Sequence, residues 1–157
     1  MRKHAVQLAE DIMVRRVITL RPEMDVFDAC SQLVKHRISG APVVNSDGIF
    51  LGVFSEGCCM SVLVDGSYGQ LPTTRVDCYM QTDIETIHER TDLLTIAQIF
   101  KSFKARRLPV LRDGYLVGQV SRRDLLRAIH AELTQRSEQA HQLLYLSSLR
   151  AYEDAPL

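Results

Sequence analysis

Residues 41–54, APVVNSDGIFLGVF, and residues 108–120, LPVLRDGYLVGQV, carry one pattern twice: an apolar run, Asp-Gly, and a second apolar run. Asp-Gly between apolar runs predicts a tight β-hairpin, because Gly accepts the positive φ that such turns require. The likeness extends outward from the hairpins. At an offset of 67, Met13 meets Met80, Thr19 meets Thr86, Asp25 meets Asp92, Pro42 meets Pro109 and Val43 meets Val110. One residue drops out in the turn, and at an offset of 66 Asp47 meets Asp113, Gly48 meets Gly114, Gly52 meets Gly118 and Ser55 meets Ser121. Internal repetition of this kind sets the architecture before any single motif does.

Each copy reads in the same order. A short apolar segment, VITL at 17–20 and IETI at 84–87, predicts a strand. A helix follows, with apolar positions Val26, Ala29, Cys30, Leu33 and Val34 at three-four spacing, matched by Leu93, Ile96, Ala97 and Phe100. Asp25 and Asp92 stand where helix starts want an acceptor. After the hairpin, a second helix follows Ser55 or Ser121. The expected fold is α/β in the α+β sense, two β-α-β-β-α units with a C-terminal helical extension. The first unit with its lead-in is expected at 1–65, a Gly-, Pro- and Thr-bearing linker at 66–76, the second unit at 77–133 and a helical tail at 134–157. The tail carries Leu143, Leu144 and Leu146, an apolar side that the repeat does not need.

Apolar residues make up 46% and charged residues 24% of the 157, an ordinary globular composition. Lys plus Arg equals Asp plus Glu at 19 each, so no bulk field draws the chain onto nucleic acid. No stretch approaches the roughly 18 apolar residues of a membrane span, and no secretory pattern opens the sequence, so a cytoplasmic protein without membrane or nucleic-acid partners is expected. Four cysteines, Cys30, Cys58, Cys59 and Cys78, form no Cys-x-x-Cys pair, and the five histidines share no ligand spacing, so no metal is expected. No Ser/His/Asp order, paired acids or Gly-rich phosphate loop suggests an enzyme, and no catalytic residue is assigned.

The chain resembles a tandem pair of CBS domains, the Bateman module, over about residues 9–133. The resemblance rests on DIM (11–13) and CYM (78–80) before the first strands. It rests further on RISGAPVV (37–44) and RRLPVL (106–111) entering the hairpins, and on Gly118-x-x-Ser121-x-x-Asp124. It implies two units packed sheet to sheet about a pseudo-twofold axis, with clefts between them that commonly bind adenine nucleotides. It also implies a regulatory rather than catalytic role and a homodimer docked through the helices after Ser55 and Ser121. Here Cys59, Met60, Leu63, Leu125, Ile129 and Leu133 would supply the apolar contact. No attached domain fits in the remaining residues, so a free-standing module acting on an unknown protein target is expected.

Ser121-Arg-Arg-Asp124 admits two readings. As a capping box, Ser121 caps the helix and Asp124 reaches back to the Ser121 amide. As a ligand site, Asp124 accepts from both hydroxyls of a ribose, and Ser121 with the helix-start amides meets a phosphate. The resemblance favours ribose and phosphate at Asp124 and Ser121 and implies that Ile38, Ser39 and Gly40 flank the adenine. It also implies that Arg106, Arg107 and Arg16 face the phosphates, a role suited to forked guanidinium donors. No cofactor is required; an adenine nucleotide is the expected regulatory ligand. In the other copy Cys58 stands where Asp124 does, and a thiol is a poor ribose acceptor, so one competent site per chain is expected. Two alternatives stand beside this reading: an interaction or dimerisation module without ligand, and a thiol sensor using Cys58 and Cys59 at a helix start, where the dipole can lower a thiol pKa.

Overall fold

A computed structural model describes residues 6–69 and 74–153, with side chains described as far as 147. Residues 70–73 of the expected linker, 1–5 of the lead-in and 154–157 of the tail lie outside the described residues. The elements follow as α1 (Ala9–Ile12), α2 (Val26–His36), β1 (Gly40–Val44), β2 (Phe50–Ser55) and α3 (Glu56–Ser67). After a 3-10 turn at Val76–Cys78 come β3 (Ile87–His88), α4 (Leu93–Ser102), β4 (Arg107–Arg112), β5 (Tyr115–Ser121) and α5 (Arg122–Glu153). This is the α+β order expected, with a C-terminal helix.

Both Asp-Gly sites form hairpins. β1 pairs antiparallel with β2, and β4 with β5. Asp113 (φ 50) and Gly114 (φ 82) both take the left-handed region of a tight hairpin turn, and Gly48 (φ 86) does so in the first copy. There Asn45 Oδ1 accepts from the amides of Asp47 and Ile49, so one side chain closes the longer turn. The segments expected as first strands shorten. Of 84–87 only Ile87 joins His88 beside β4, and of 17–20 only Leu20 bridges Val43. Pro22, two residues on, has no N–H with which to continue the ladder.

Asp25 accepts from the Phe27 amide and Asp92 from the Thr95 amide, each at its helix start. Contacts to Thr74 first, then to Phe27, hold the Asp25 carboxyl below its usual range, consistent with an ionised cap. α2 buries Val26, Ala29 and Leu33, and α4 buries Leu93, Ile96 and Phe100. The apolar face of α2 is narrower than its spacing predicts, for Val34 is 79% exposed. α5 continues without a break into the tail, and every residue from Leu133 to Ser147 is exposed.

The units are joined by exchange. Ala9 and Met13, which open the first repeat, are buried with Ile87, Ile96, Leu108 and Val120 of the second. Val76, with Tyr79 and Met80 beside it, belongs to the core of the first, around Leu20, Val43 and Phe54. The crossing points are symmetric: Val14 bridges Gln119, and Gln81 bridges Val53. At each crossing a glycine admits the foreign backbone. A Cβ on Gly52 would lie 2.4 Å from the Gln81 carbonyl oxygen, and one on Gly118 would lie 2.7 Å from Met13 Sδ and 2.9 Å from the Val14 carbonyl oxygen. The hairpin tips also meet, as Phe50 N donates to Gly114 O and Leu116 N to Gly48 O.

Glu89 joins the lead-in of the first unit to the second unit near the Val14–Gln119 crossing. Its backbone carbonyl accepts from Glu10 N of the lead-in, and its carboxylate takes both Nε and Nη2 of Arg112. That forked pairing is the main cause holding the Glu89 carboxyl below its ordinary 4.5. A depressed acid contributes stability above its unfolded pKa and loses it as pH falls through the folded value.

Two predictions follow the exchange. Gly52→Ala is expected to destabilise by about 1–3 kcal/mol, more than Gly118→Ala, because the nearest backbone oxygen would lie at 2.4 Å from the new Cβ at Gly52 and at 2.9 Å at Gly118, where the closer Met13 side chain can move. Gly66→Ala, whose Cβ meets nothing within 4 Å, serves as the control and should not destabilise; urea titrations of the three variants check the order. Glu89→Gln should melt below the wild type at pH 7. The gap should narrow as pH falls below 4.5 and close once wild-type Glu89 is protonated, a trend read by melting temperature against pH.

Candidate functional site

Two cavities lie along the line where the units meet. The smaller, about 310 Å³, is walled by Val14, Arg16, Val17 and Ile18 after the lead-in, by Ile38 and Gly40 entering β1, and by Arg107, Gln119, Ser121 and Asp124 of the second unit. It brings together six of the eight expected site residues. The other two, Ser39 and Arg106, line the larger cavity, which Gly40 and Arg107 also line.

Ser121 and Asp124 are built as a capping box. Asp124 Oδ2 accepts from Ser121 N at 2.8 Å and from Ser121 Oγ at 2.6 Å, while Asp124 N donates to Ser121 Oγ at 3.2 Å. The cap occupies one carboxylate oxygen. Among the described residues Oδ1 accepts nothing, and neither the Arg16 nor the Arg107 side chain has a hydrogen-bond or ion-pair partner. The cavity is therefore lined by a carboxylate with one unengaged oxygen and by two unengaged guanidinium groups, a set that suits a polyol joined to an anion. Both sequence readings of Ser-x-x-Asp are compatible, since cap and cleft use different oxygens.

The larger cavity, about 460 Å³, is the counterpart under the repeat. Adding 67 to Arg16, Val17 and Ile18 gives Asp83, Ile84 and Glu85, which line it. Ser55 is present, but its side chain makes no cap, and Cys58 is 4% exposed, packed in the first core. Ser55 Oγ and Cys58 Sγ stand 3.5 Å apart. The walls mix Glu56, Asp83 and Glu85 with Lys104, Arg106 and Arg107. Both volumes fall in the range of about 300–1,000 Å³ usual for small-molecule sites.

Sequence reasoning missed Val14, Val17, Ile18 and Gln119 in the smaller cavity and Asp83, Glu85, Lys104 and Phe103 in the larger. The segments 15–19 and 82–86 have no regular structure, so periodicity is silent there. The repeat was the available signal: once Arg16 was singled out, its neighbours and their partners 67 residues on were candidates. Two expectations about the helices after the hairpins are corrected. Leu125 is 6% exposed and Ile129 packs against the same core, so neither offers a free apolar face; Leu126 on the next position is exposed. Cys58 is sealed in the core, and the Cys59 thiol is pushed up to about 12, by burial first and then by Cys30, the opposite of activation by a helix start.

An α-β-β-α unit and a β-α-β-β-α unit that exchange lead-ins, with two cavities where they meet, define a tandem-repeat architecture of twofold character. The chain belongs to the CBS domain family, which matches residues 9–65 and 76–131. It is 26% identical over 132 residues to the A-adding tRNA nucleotidyltransferase of Aquifex aeolicus, covering 84% of this chain and 15% of that one. It is 27% identical over 117 residues to the CBS domain-containing protein YhcV of Bacillus subtilis, covering 74% of this chain and 81% of that one. The chain thus spans only a small part of the nucleotidyltransferase. Among solved structures it is similar to CBSX2 in complex with AMP, a protein of Arabidopsis thaliana, at a TM-score of 0.71 and 26% identity over 79% of this chain and 96% of that one. Among the described residues no helix is long and apolar enough to cross a membrane.

Proposed function

We propose that this chain is a regulatory module that binds an adenine nucleotide in the cleft of Ser121 and Asp124 and transmits occupancy to a protein target. The carrying observation is that Asp124, with Oδ2 in the helix cap and Oδ1 unengaged, lines one cavity together with Arg16 and Arg107. Oδ1 offers two lone pairs to the two ribose hydroxyls while Oδ2 keeps the helix start closed. Arg16 and Arg107 take the phosphate, Ile38 lies against the adenine and Gly40 lets the base approach the backbone. The likeness to a protein solved with AMP supports the same ligand class. The larger cleft lacks the ribose acceptor, since its Cys58 is turned into the core.

The exposed apolar residues Met60 and Leu63 on α3 and Leu126 and Leu133 on α5 support the homodimer, as does the bare helix beyond Glu132. A helix with no contacts to its own domain gains little from propensity alone. Light scattering at micromolar concentration should return twice the monomer mass; a monomer mass would remove the dimer from this proposal.

Asp124→Asn separates cap from site. The amide oxygen still accepts from Ser121, so the melting temperature should stay near the wild-type value. The amide N–H₂ cannot accept from ribose hydroxyls. Loss of charge-assisted bonds worth roughly 1.5–3 kcal/mol each should weaken AMP binding by tens to hundreds of fold. Calorimetry with AMP showing equal affinity for wild type and Asp124→Asn would overturn the assignment of this cleft.

A further inference from the structure

Two of the four cysteines meet. Cys30 on α2 and Cys59 on α3 hold their sulphurs 2.6 Å apart where the two helices pack. Both are half-buried, at the margin of the first core, whereas Cys58 is sealed inside it and Cys78 is exposed. Among the described residues no group of three His, Cys, Asp or Glu is placed to hold a metal, so the pair has no third ligand. Two thiols in contact, reachable from solvent and committed to no metal, have one chemistry in common.

We propose that Cys30 and Cys59 form a reversible disulfide that fastens α2 to α3. The oxidant is a low-molecular-weight disulfide. The Cys30 thiolate attacks one of its sulphurs, the S–S bond breaks, and one small thiolate leaves, giving a mixed disulfide on Cys30. Cys59 then gives its proton to solvent and attacks the Cys30 sulphur; Sγ–Sγ forms and the second small thiolate leaves. In sum two protein thiols are oxidised and one small disulfide is reduced to two thiols. The order follows from the surroundings. Cys59 is the poorer first nucleophile because burial and the neighbouring Cys30 thiol both disfavour its thiolate, and the second cause disappears once Cys30 is capped.

The bond would bear on the clefts. Cys59 lies in the first turn and a half of α3, two residues after Gly57, which walls the larger cavity with Ser55 and Glu56. α2 leads through Arg37 into Ile38 and Gly40, which wall the smaller one. Pinning the helices together thus fixes wall segments of both cavities. This inference is independent of the nucleotide proposal, since no cleft residue takes part in the bond.

The test uses the full chain and oxidised glutathione, with exposed Cys78 as internal control. Oxidation is continued until the tryptic peptide 76–90 is fully glutathionylated; remaining thiols are then alkylated and the peptides read by mass spectrometry. Cys30 falls in peptide 17–35, and Cys58 and Cys59 in peptide 38–75. The expected product is 17–35 joined to 38–75 with the loss of two hydrogens, Cys58 alkylated, the chain running as a monomer on non-reducing electrophoresis, and the link abolished by dithiothreitol. Recovery of Cys30 and Cys59 as alkylated thiols or as separate glutathione adducts overturns the proposal. A link through Cys58, or one between chains, does so too.

Discussion

Backbone contact at two glycines holds this molecule together. Where Gln81 runs against Gly52 and Val14 against Gly118, there is no room for a Cβ, and the strand of one unit hydrogen-bonds to the lead-in of the other. Everything buried by the exchange depends on that approach: Ala9 and Met13 complete the second core, and Val76 the first. Neither unit closes its own core from its own repeat. The clefts are a by-product of the same geometry, for the segments that lead away from the crossings, 15–18 and 82–85, form their outer walls.

On this shared scaffold the two copies have diverged where the scaffold does not need them. Gly48 and Gly114 keep positive φ, and Asp25 and Asp92 keep their caps, because turn and helix start have one geometry in both units. The cleft positions show no such constraint. Arg16 in one wall corresponds to Asp83 in the other, and Asp124 corresponds to Cys58. The first exchange reverses a charge, and the second turns a cleft-facing carboxylate into a core thiol. Two cavities related by one operation thus present different chemistry, one with two cations around an open carboxylate oxygen, the other with acids and bases mixed.

The hairpins, the helix caps and the two apolar helix faces were legible because each rests on local chemistry: Asp-Gly, an acidic N-cap, three-four spacing. The exchange of lead-ins was not. A repeat says which residues are alike, and Met13 and Met80 are alike whether each packs on its own unit or on the other. Only the missing Cβ atoms at Gly52 and Gly118 mark the crossing, and a glycine in a strand has several readings. The first strands were overread for a related reason. VITL and IETI have strand composition, but at a sheet edge only Leu20 and Ile87 with His88 find ladder partners. At the site, Ile38, Gly40, Arg107, Ser121 and Asp124 came from motif positions, whereas Val17 and Ile18 sit on irregular backbone where no period speaks.

Asp124 shows how one side chain can close a helix start and keep an acceptor in reserve. A carboxylate has two oxygens, and the helix start needs one. Ser121 engages Oδ2 through both its amide and its hydroxyl, which fixes the side-chain torsions of Asp124 before any ligand arrives. The remaining oxygen is thereby aimed, and the entropy of aiming it is part of folding instead of binding. In the other copy Gly57 takes the position of Arg123 and Cys58 that of Asp124, so the helix start has neither the reciprocal bond nor a fixed acceptor. In this copy cap and acceptor are both absent, and Cys58 is buried in the first core with Phe54 and Val62. The fold thus keeps its symmetry at turns and crossings while the two helix starts differ, one closed by polar bonds and the other set against a thiol buried in the core.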